Sequence, residues 1–273
     1  MKWRIIIQKK NDPAYNMALD EAILMSVIEK KSPPTIRFYD WNPPTASCGY
    51  NQTAENEVDF EILAKKGYEF IRRPTGGRLV LHKDEVTYSV IAPLDGFLGG
   101  SVTHTYSQIS KALAKGLHLM GIDVILEKGS LSSSHQREAG NPCFTSTSRY
   151  ELAYKRKKIV GSAQVRKENC FLQHGSVLLH ENQGEVGKIL PKLTDDKKEK
   201  IVNYLKKKTI AINEVLDTPL DFKKAVQFLT EGFILEWDTE DFVLNNELTN
   251  EEKKITEYLI KSKYQTEKWN KKL

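Results

Sequence analysis

Strand-like runs crowd the first two thirds of this sequence and helices its last third, an order that predicts an α+β fold of mainly antiparallel sheets flanked by helices. Short apolar or alternating runs recur near residues 3–7, 36–38, 45–50, 86–90, 158–164 and 170–179, without the strict alternation of a parallel βαβ sheet. From about residue 185 the chain turns helical and lysine-rich, with stripes such as Ile201, Tyr204 and Leu205, then Ala225, Phe228, Leu229 and Phe233. No internal repeat or linker divides the 273 residues. One domain over 1–273 is expected, with a helical C-terminal portion from about 185 and a core burying roughly 75% of the unfolded surface.

The elements follow in order. Trp3, Ile5 and Ile7 mark a largely buried first strand. Asp12 can cap a helix that has Pro13 at its first position, where a missing N–H costs nothing. Ala14, Met17, Ala18, Glu21, Met25 and Ile28 share one stripe of that helix, so Glu21 needs a partner or a solvent edge. Ser32-Pro33-Pro34 stops it, Ile36 and Phe38 form a strand, Trp41-Asn42-Pro43-Pro44 turns, and residues 45–50 read as another strand. A short helix over about 58–66 ends at Gly67, which suits a left-handed cap.

Residues 70–71 end one strand and 79–81 begin the next, which allows an ordinary hairpin between them. Val86, Tyr88 and Val90 alternate with Thr87 and Ser89 as in a half-buried strand. Gly96, Gly99 and Gly100 make a flexible connection to a helix marked by Tyr106, Ile109, Leu113, Leu117 and Met120 and ended by Gly121, after which 124–126 are extended. The polar, Ser-rich stretch 129–142 is expected to be a mobile loop. Residues 150–154 and 158–164 should pair across a basic turn, followed by strands at 170–174 and 176–179, and a last amphipathic helix covers 249–261.

Composition excludes several classes. Hydrophobic content of 40% with 28% charged residues is that of an ordinary soluble protein. No apolar run nears the roughly 20 residues that cross a bilayer, and the apolar core of residues 3–7 is too short for a signal peptide, so the cytoplasm is expected. Cys48, Cys143 and Cys170, odd in number and without paired spacing, argue against a disulfide framework and against zinc. His104, His118, His135 and His180 show no metal spacing either, so neither metal nor cofactor is expected. The net charge of +5 is carried mainly by lysine. It describes a solvated surface, or attraction to an acidic protein partner. No nucleic-acid-binding signature appears.

The most chemically suggestive stretch is Ile71-Arg72-Arg73-Pro74-Thr75-Gly76-Gly77-Arg78-Leu79-Val80-Leu81-His82. Gly76 and Gly77 can reach positive φ and bring backbone N–H groups close to a ligand. Arg72, Arg73 and Arg78 add forked donors that suit a carboxylate or phosphate.

This stretch resembles the Arg-Arg-x-Thr-Gly-Gly-x-x-Val-x-His signature of the biotin and lipoate protein ligase superfamily, with Arg78 where many relatives carry a third glycine. Asn16-Met17-Ala18-Leu19-Asp20-Glu21-Ala22, Arg37-Phe38-Tyr39 with Trp41-Asn42-Pro43, Lys158-Ile159-Val160-Gly161-Ser162-Ala163-Gln164 and Gln173-His174-Gly175-Ser176 match in the expected order. Over essentially the whole chain the sequence is most similar to octanoyltransferases that charge a protein lysine from octanoyl-acyl carrier protein. The resemblance implies a ligase-like catalytic domain and a substrate-binding set of Arg72, Arg73, Thr75, Gly76, Gly77, His82, Gly161, Ser162 and His174.

The cysteines separate by surroundings. Cys48 and Cys170 sit in strand-like runs and read as small buried hydrophobes. Cys143 lies at the end of the polar loop, within reach of a reagent, and the resemblance makes it the acyl acceptor because it stands just upstream of Tyr150-Glu151-Leu152. Lys158 alone would pass for a turn lysine. Its context resembles the superfamily's active-site lysine, which implies carbonyl polarisation and oxyanion binding. His82 and His174 can shuttle protons or hydrogen-bond structurally. The implied partners are octanoyl-acyl carrier protein and lipoyl carriers such as the glycine cleavage H protein or dehydrogenase acyltransferase domains. An ATP-dependent lipoate protein ligase and a carrier-to-carrier octanoyl amidotransferase are the alternatives.

Overall fold

A computed structural model describes residues 2–127 and 151–272. Cys143 and the stretch 129–142 lie outside the described residues. In chain order the elements are β1 (Lys2–Asn11), α1 (Pro13–Ile28), β2 (Thr35–Trp41), β3 (Thr45–Cys48), α2 (Ala54–Glu57), α3 (Phe60–Lys66), β4 (Glu69–Arg72), β5 (Val80–His82), β6 (Glu85–Pro93), α4 (Val102–Leu119) and β7 (Ile125–Glu127). After residue 150 come β8 (Glu151–Tyr154), β9 (Lys157–Lys167), β10 (Cys170–Leu178), α5 (Asp195–Lys208), α6 (Phe222–Glu236), β11 (Asp241–Leu244), α7 (Asn250–Leu259) and α8 (Glu267–Asn270).

The large sheet runs β11-β1-β2-β6-β10-β9-β8-β7, and a small one runs β4-β3-β5. In the large sheet β11–β1 and β1–β2 are parallel and the other pairings antiparallel. The α+β class with mainly antiparallel sheets is therefore observed.

Local signals set the helix ends. The Asp12 carboxylate accepts from the Ala14 and Tyr15 amides ahead of Pro13, and Gly67 ends α3 in the left-handed region at φ 65°. Glu21 finds its partners in Lys263 Nζ at 2.7 Å and the Tyr264 hydroxyl at 2.5 Å, which fastens α1 to the C-terminal segment.

Four sequence expectations change, each for a physical reason. β4 and β5 do not pair with each other; both flank β3, so the glycine stretch crosses over a strand and is no hairpin. Residues 170–178 form one continuous strand, because Gly175 keeps its ladder partners Tyr88 and Ser162. β11 interrupts the helical C-terminal third, a four-residue edge strand too short and exposed to show periodicity. β6 is buried on both faces over residues 85–92. Its Val86, Tyr88 and Val90 pack into the core with Ile109 and Leu113 of α4 and Leu229 and Phe233 of α6, while Ile91 packs beneath Leu19 and Ile23 of α1. The polar alternation of Thr87 and Ser89 thus faces α1 and not solvent.

Candidate active site

The α1 face of the large sheet carries two neighbouring rows of side chains, fixed by register. One row is Arg37, Ser89, His174 and Ala163, read across β2, β6, β10 and β9. The next is Tyr39, Thr87, Ser176 and Gly161. Burying so many polar groups is tolerable only if each finds a partner. Asp20 of α1 supplies several. Its carboxylate accepts from Arg37 Nη1 at 2.8 Å, Ser89 Oγ at 2.9 Å and the Tyr39 hydroxyl at 2.8 Å, and lies 3.5 Å from His174 Nδ1. Burial opposes the Asp20 charge, but Arg37 and His174 outweigh it and hold the carboxyl below its usual value. Burial pushes the His174 imidazole down despite Asp20, so its neutral form prevails near pH 7.

A second polar chain serves the other row. Glu85, buried at the start of β6, accepts from His82 Nδ1 at 2.7 Å, Thr87 Oγ1 at 2.6 Å and the Ser176 hydroxyl. Thr87 in turn accepts from Trp41 Nε1 at 2.7 Å, and the Trp41 ring stacks on His82 with centroids 4.3 Å apart. His82 Nε2 lies 2.6 Å from Ser47 Oγ, which also accepts from Arg73 Nη1 at 2.6 Å. Two carboxylate-histidine-hydroxyl arrays therefore join the sheets: Asp20, His174 and Thr75, and Glu85, His82 and Ser47.

The glycine loop hangs between them. Thr75 Oγ1 lies 2.7 Å from His174 Nε2, and Arg73 Nη2 donates to the carbonyls of Gly76 at 3.2 Å and Arg78 at 2.9 Å. Gly77 takes φ 97°, a region open to glycine. Gly49 is needed beside it, since a Cβ there would meet the Gly77 carbonyl oxygen at 2.2 Å.

A narrow slot opens here, partly to solvent. Met17, Tyr39, Trp41 and Val80 give it an apolar lining, and Arg73, His82, His174 and the 161–163 segment close it. A second, wider pocket of about 250 Å³ between Gly76, Gly77, Val102, Thr103 and Tyr106 shares Ser162 and Ala163 with the first. An apolar slot with a few converging polar groups beside a wider pocket is the usual make-up of a small-molecule site.

The structure brings together Arg73, Thr75, Gly76, Gly77, His82, Gly161, Ser162 and His174 of the expected set. Arg72 points elsewhere. Its guanidinium donates to the carbonyls of Gly49 at 2.9 Å, Gln52 at 2.6 Å, Trp269 at 2.8 Å and Lys272 at 2.8 Å, so it ties the loop after β3 to the C-terminal segment. Lys158 does not line either pocket. It is buried at the start of β9, with Nζ 2.9 Å from Glu151 Oε1. Cys48 and Cys170 are buried strand residues, and burial pushes the Cys48 thiol up to about 11 and the Cys170 thiol upward, away from nucleophilic use. Sequence reasoning missed Ser47 and Glu85, and gave no role to Asp20, Arg37 and Ser176 although they stand in the matching segments. Arg37 had a visible signal, an arginine between the apolar Ile36 and Phe38 of a central strand. Among the described residues no cluster of His, Cys, Asp and Glu is arranged to hold a metal ion, and no helix is long and apolar enough to cross a membrane.

Residues 12–234 match the family model of the lipoyl protein ligase A/B catalytic domain. An octanoyltransferase LipM of Anoxybacillus flavithermus is 40% identical, covering 98% of this chain and 97% of its own. The octanoyltransferase LipM of Bacillus subtilis is 38% identical with the same coverage, 98% and 97%. Among solved structures, a lipoate-protein ligase A bound with ATP superposes with a TM-score of 0.79 at 24% identity over 99% of both chains. A bipartite lipoate protein ligase from Thermoplasma acidophilum, solved with its E2 lipoyl domain, superposes with a TM-score of 0.80 at 23% identity over 99% of this chain and 96% of its own. Those structural likenesses speak for the fold. The family match and the full-length relatives go further: this chain belongs to the lipoyl protein ligase A/B catalytic domain family and is an acyltransferase.

Proposed function

We propose that the protein transfers an octanoyl group from octanoyl-acyl carrier protein to a lysine of a lipoyl carrier protein, in lipoate biosynthesis in the cytoplasm, by way of a thioester on Cys143. The observation that carries this reading is the near-full-length identity of 40% to a relative named as an octanoyltransferase. The thiolate of Cys143 attacks the donor thioester carbonyl, and the carrier's prosthetic thiolate leaves and is protonated. The lysine amine of the acceptor then attacks the new thioester, loses a proton and expels the Cys143 thiolate, forming the octanoyl amide. A thiol of pKa near 8.5 is only about 3% thiolate at pH 7, so a neighbouring cation assists the first step.

The apolar slot suits the octanoyl tail, Arg73, Thr75, Gly76 and Gly77 hold its carbonyl end, and His82 and His174 fix that loop. Lys158 begins the strand that leads to Gly161 and Ser162, and it pairs with Glu151, eight residues beyond Cys143. We assign it to the oxyanion and to lowering the thiol pKa. The H protein of glycine cleavage and dehydrogenase acyltransferase domains are the proposed acceptors.

Intact-mass analysis after incubation with octanoyl-acyl carrier protein and no nucleotide tests the thioester. One octanoyl adduct, removed by neutral hydroxylamine and absent from Cys143→Ser, is expected. An adduct on Cys48 or Cys170, or one that resists hydroxylamine, overturns it.

A further inference from the structure

A ridge of unneutralised cations lies where β9 begins. The two-residue turn between Tyr154 of β8 and Lys157 of β9 is Lys155-Arg156, and Lys206, Lys207 and Lys208 form the last turn of α5. A backbone bridge between Lys158 and Thr209, with the Ile210 amide donating to the Lys158 carbonyl at 3.1 Å, brings the two segments side by side. Among the described residues none of Lys155, Arg156, Lys157, Lys206, Lys207 and Lys208 makes an ion pair.

Three features separate this ridge from a random solvated surface. Lys155 and Arg156 both have positive φ, 46° and 65°, a turn geometry that favours Asn-Gly. Two long cationic side chains occupy the turn against the local backbone preference. Second, several of the cations are held by packing: Lys155 lies over the Tyr154 ring at 5.1 Å and Lys208 near the Tyr204 ring at 5.9 Å, and Gly184 leaves room for the Lys206 stem. Third, Tyr204 is 45% exposed beside them, an amphipathic anchor of the kind that interfaces use.

The ridge also has a fixed relation to the site. β9 runs from Lys157 through the buried Lys158 to Ser162, one of the two residues shared by both pockets, a span of about 17 Å at the usual rise of a strand. We propose that this ridge, formed by the β8–β9 turn and the end of α5, docks the acidic carrier protein that delivers the acyl thioester, so that its extended prosthetic arm spans the distance to the wider pocket. This placement rests on the proposed octanoyl transfer. A donor that hands over its acyl group on a long arm needs such a stand-off contact. A lipoyl carrier must instead bring its lysine right up to the acyl-enzyme, and a contact five strand residues away from Ser162 does not serve that approach.

The test measures binding of fluorescently labelled octanoyl-acyl carrier protein to the full chain by anisotropy at low ionic strength. Lys155→Asn with Arg156→Gly, and separately Lys207→Glu with Lys208→Glu, should each weaken binding about tenfold or more, and wild-type binding should weaken as salt is added. The Asn-Gly variant should melt no lower than wild type, since it relieves the strained turn. Octanoyl-pantetheine, a thioester without the carrier, should acylate all of these proteins equally. Wild-type-like carrier binding by both variants, salt-insensitive binding, or loss of lipoyl-carrier binding in place of donor binding would overturn the docking proposal. If octanoyl-pantetheine fails to acylate even the wild type, the proposed reaction fails, while the anisotropy series still decides the docking surface.

Discussion

Thr75 Oγ1 and His174 Nε2 lie 2.7 Å apart across 99 residues of sequence, so the glycine loop is anchored to the middle of the large sheet. Asp20 stands on the other side of the same imidazole. The loop's position therefore depends on a buried carboxylate of α1 and on a strand with which it shares no backbone ladder.

Replacing Thr75 by Val removes that anchor and leaves a buried imidazole nitrogen without its hydroxyl. A stability loss of about 1–2 kcal/mol is expected, with kcat/KM lowered about tenfold or more as the loop loosens. Thr75→Ser should recover most of both. Thermal melts and steady-state kinetics on the pair check it, and a Val variant with wild-type turnover would show that the anchor has no part in catalysis.

Lys158 has a structural duty that its sequence position hides. Only 8% of its side chain is exposed, and its ammonium lies 2.9 Å from Glu151, whose own side chain is 13% exposed. Lys158→Ala should cost about 2 kcal/mol of stability by leaving a largely buried carboxylate without that ammonium, and should also lower turnover about 10²-fold or more. Lys158→Ala combined with Glu151→Ala should regain stability without regaining activity. Recovery of turnover in the double variant would reduce Lys158 to a packing residue.

Asp40, at the end of β2, gives a pH dependence of known sign. Burial, opposed by its hydrogen bond from the Trp41 amide and by Lys10, raises its carboxyl to about 6. A raised carboxyl favours the protonated form in the fold, so wild-type stability falls as pH climbs from about 3.8 to about 6 and the penalty is complete above that. Asp40→Asn should remove this penalty: no more than about 3 kcal/mol of added stability at pH 7.5, and none near pH 3.5. Melting temperatures across that range decide it; a gain confined to acid would contradict the assignment.

Much of the fold was legible because local chemistry fixed it. Asp12-Pro13 starts α1, Gly67 ends α3, and the glycine loop falls between two strands as its composition requires. The site was half legible. Its loop and histidines stand out in the chain, whereas the roles of Asp20, Glu85 and Ser176 show only when register and helix packing set Asp20 against His174 and Glu85 against His82 and Ser176. Thr87 and Ser89 mislead for the same reason: period-two polarity reads as a solvent face, and only the helix above β6 reveals that it is the floor of a pocket. β11 escaped because four residues at a parallel edge take their stability from β1 and not from their own pattern.

Nucleotide-free transfer through a cysteine is tested by a single comparison. Wild type and Cys143→Ser are each given the same lipoyl carrier, with octanoyl-acyl carrier protein alone or with free lipoate and ATP. A thioester already holds the activation energy that a free carboxylate must obtain from adenylation, and a serine alkoxide is far harder to form near neutral pH than a thiolate. Carrier octanoylation by wild type from the acyl carrier protein without ATP, its loss in Cys143→Ser, and no product from free lipoate are expected. Strict dependence on ATP, with full activity retained in Cys143→Ser, would contradict transfer through the cysteine.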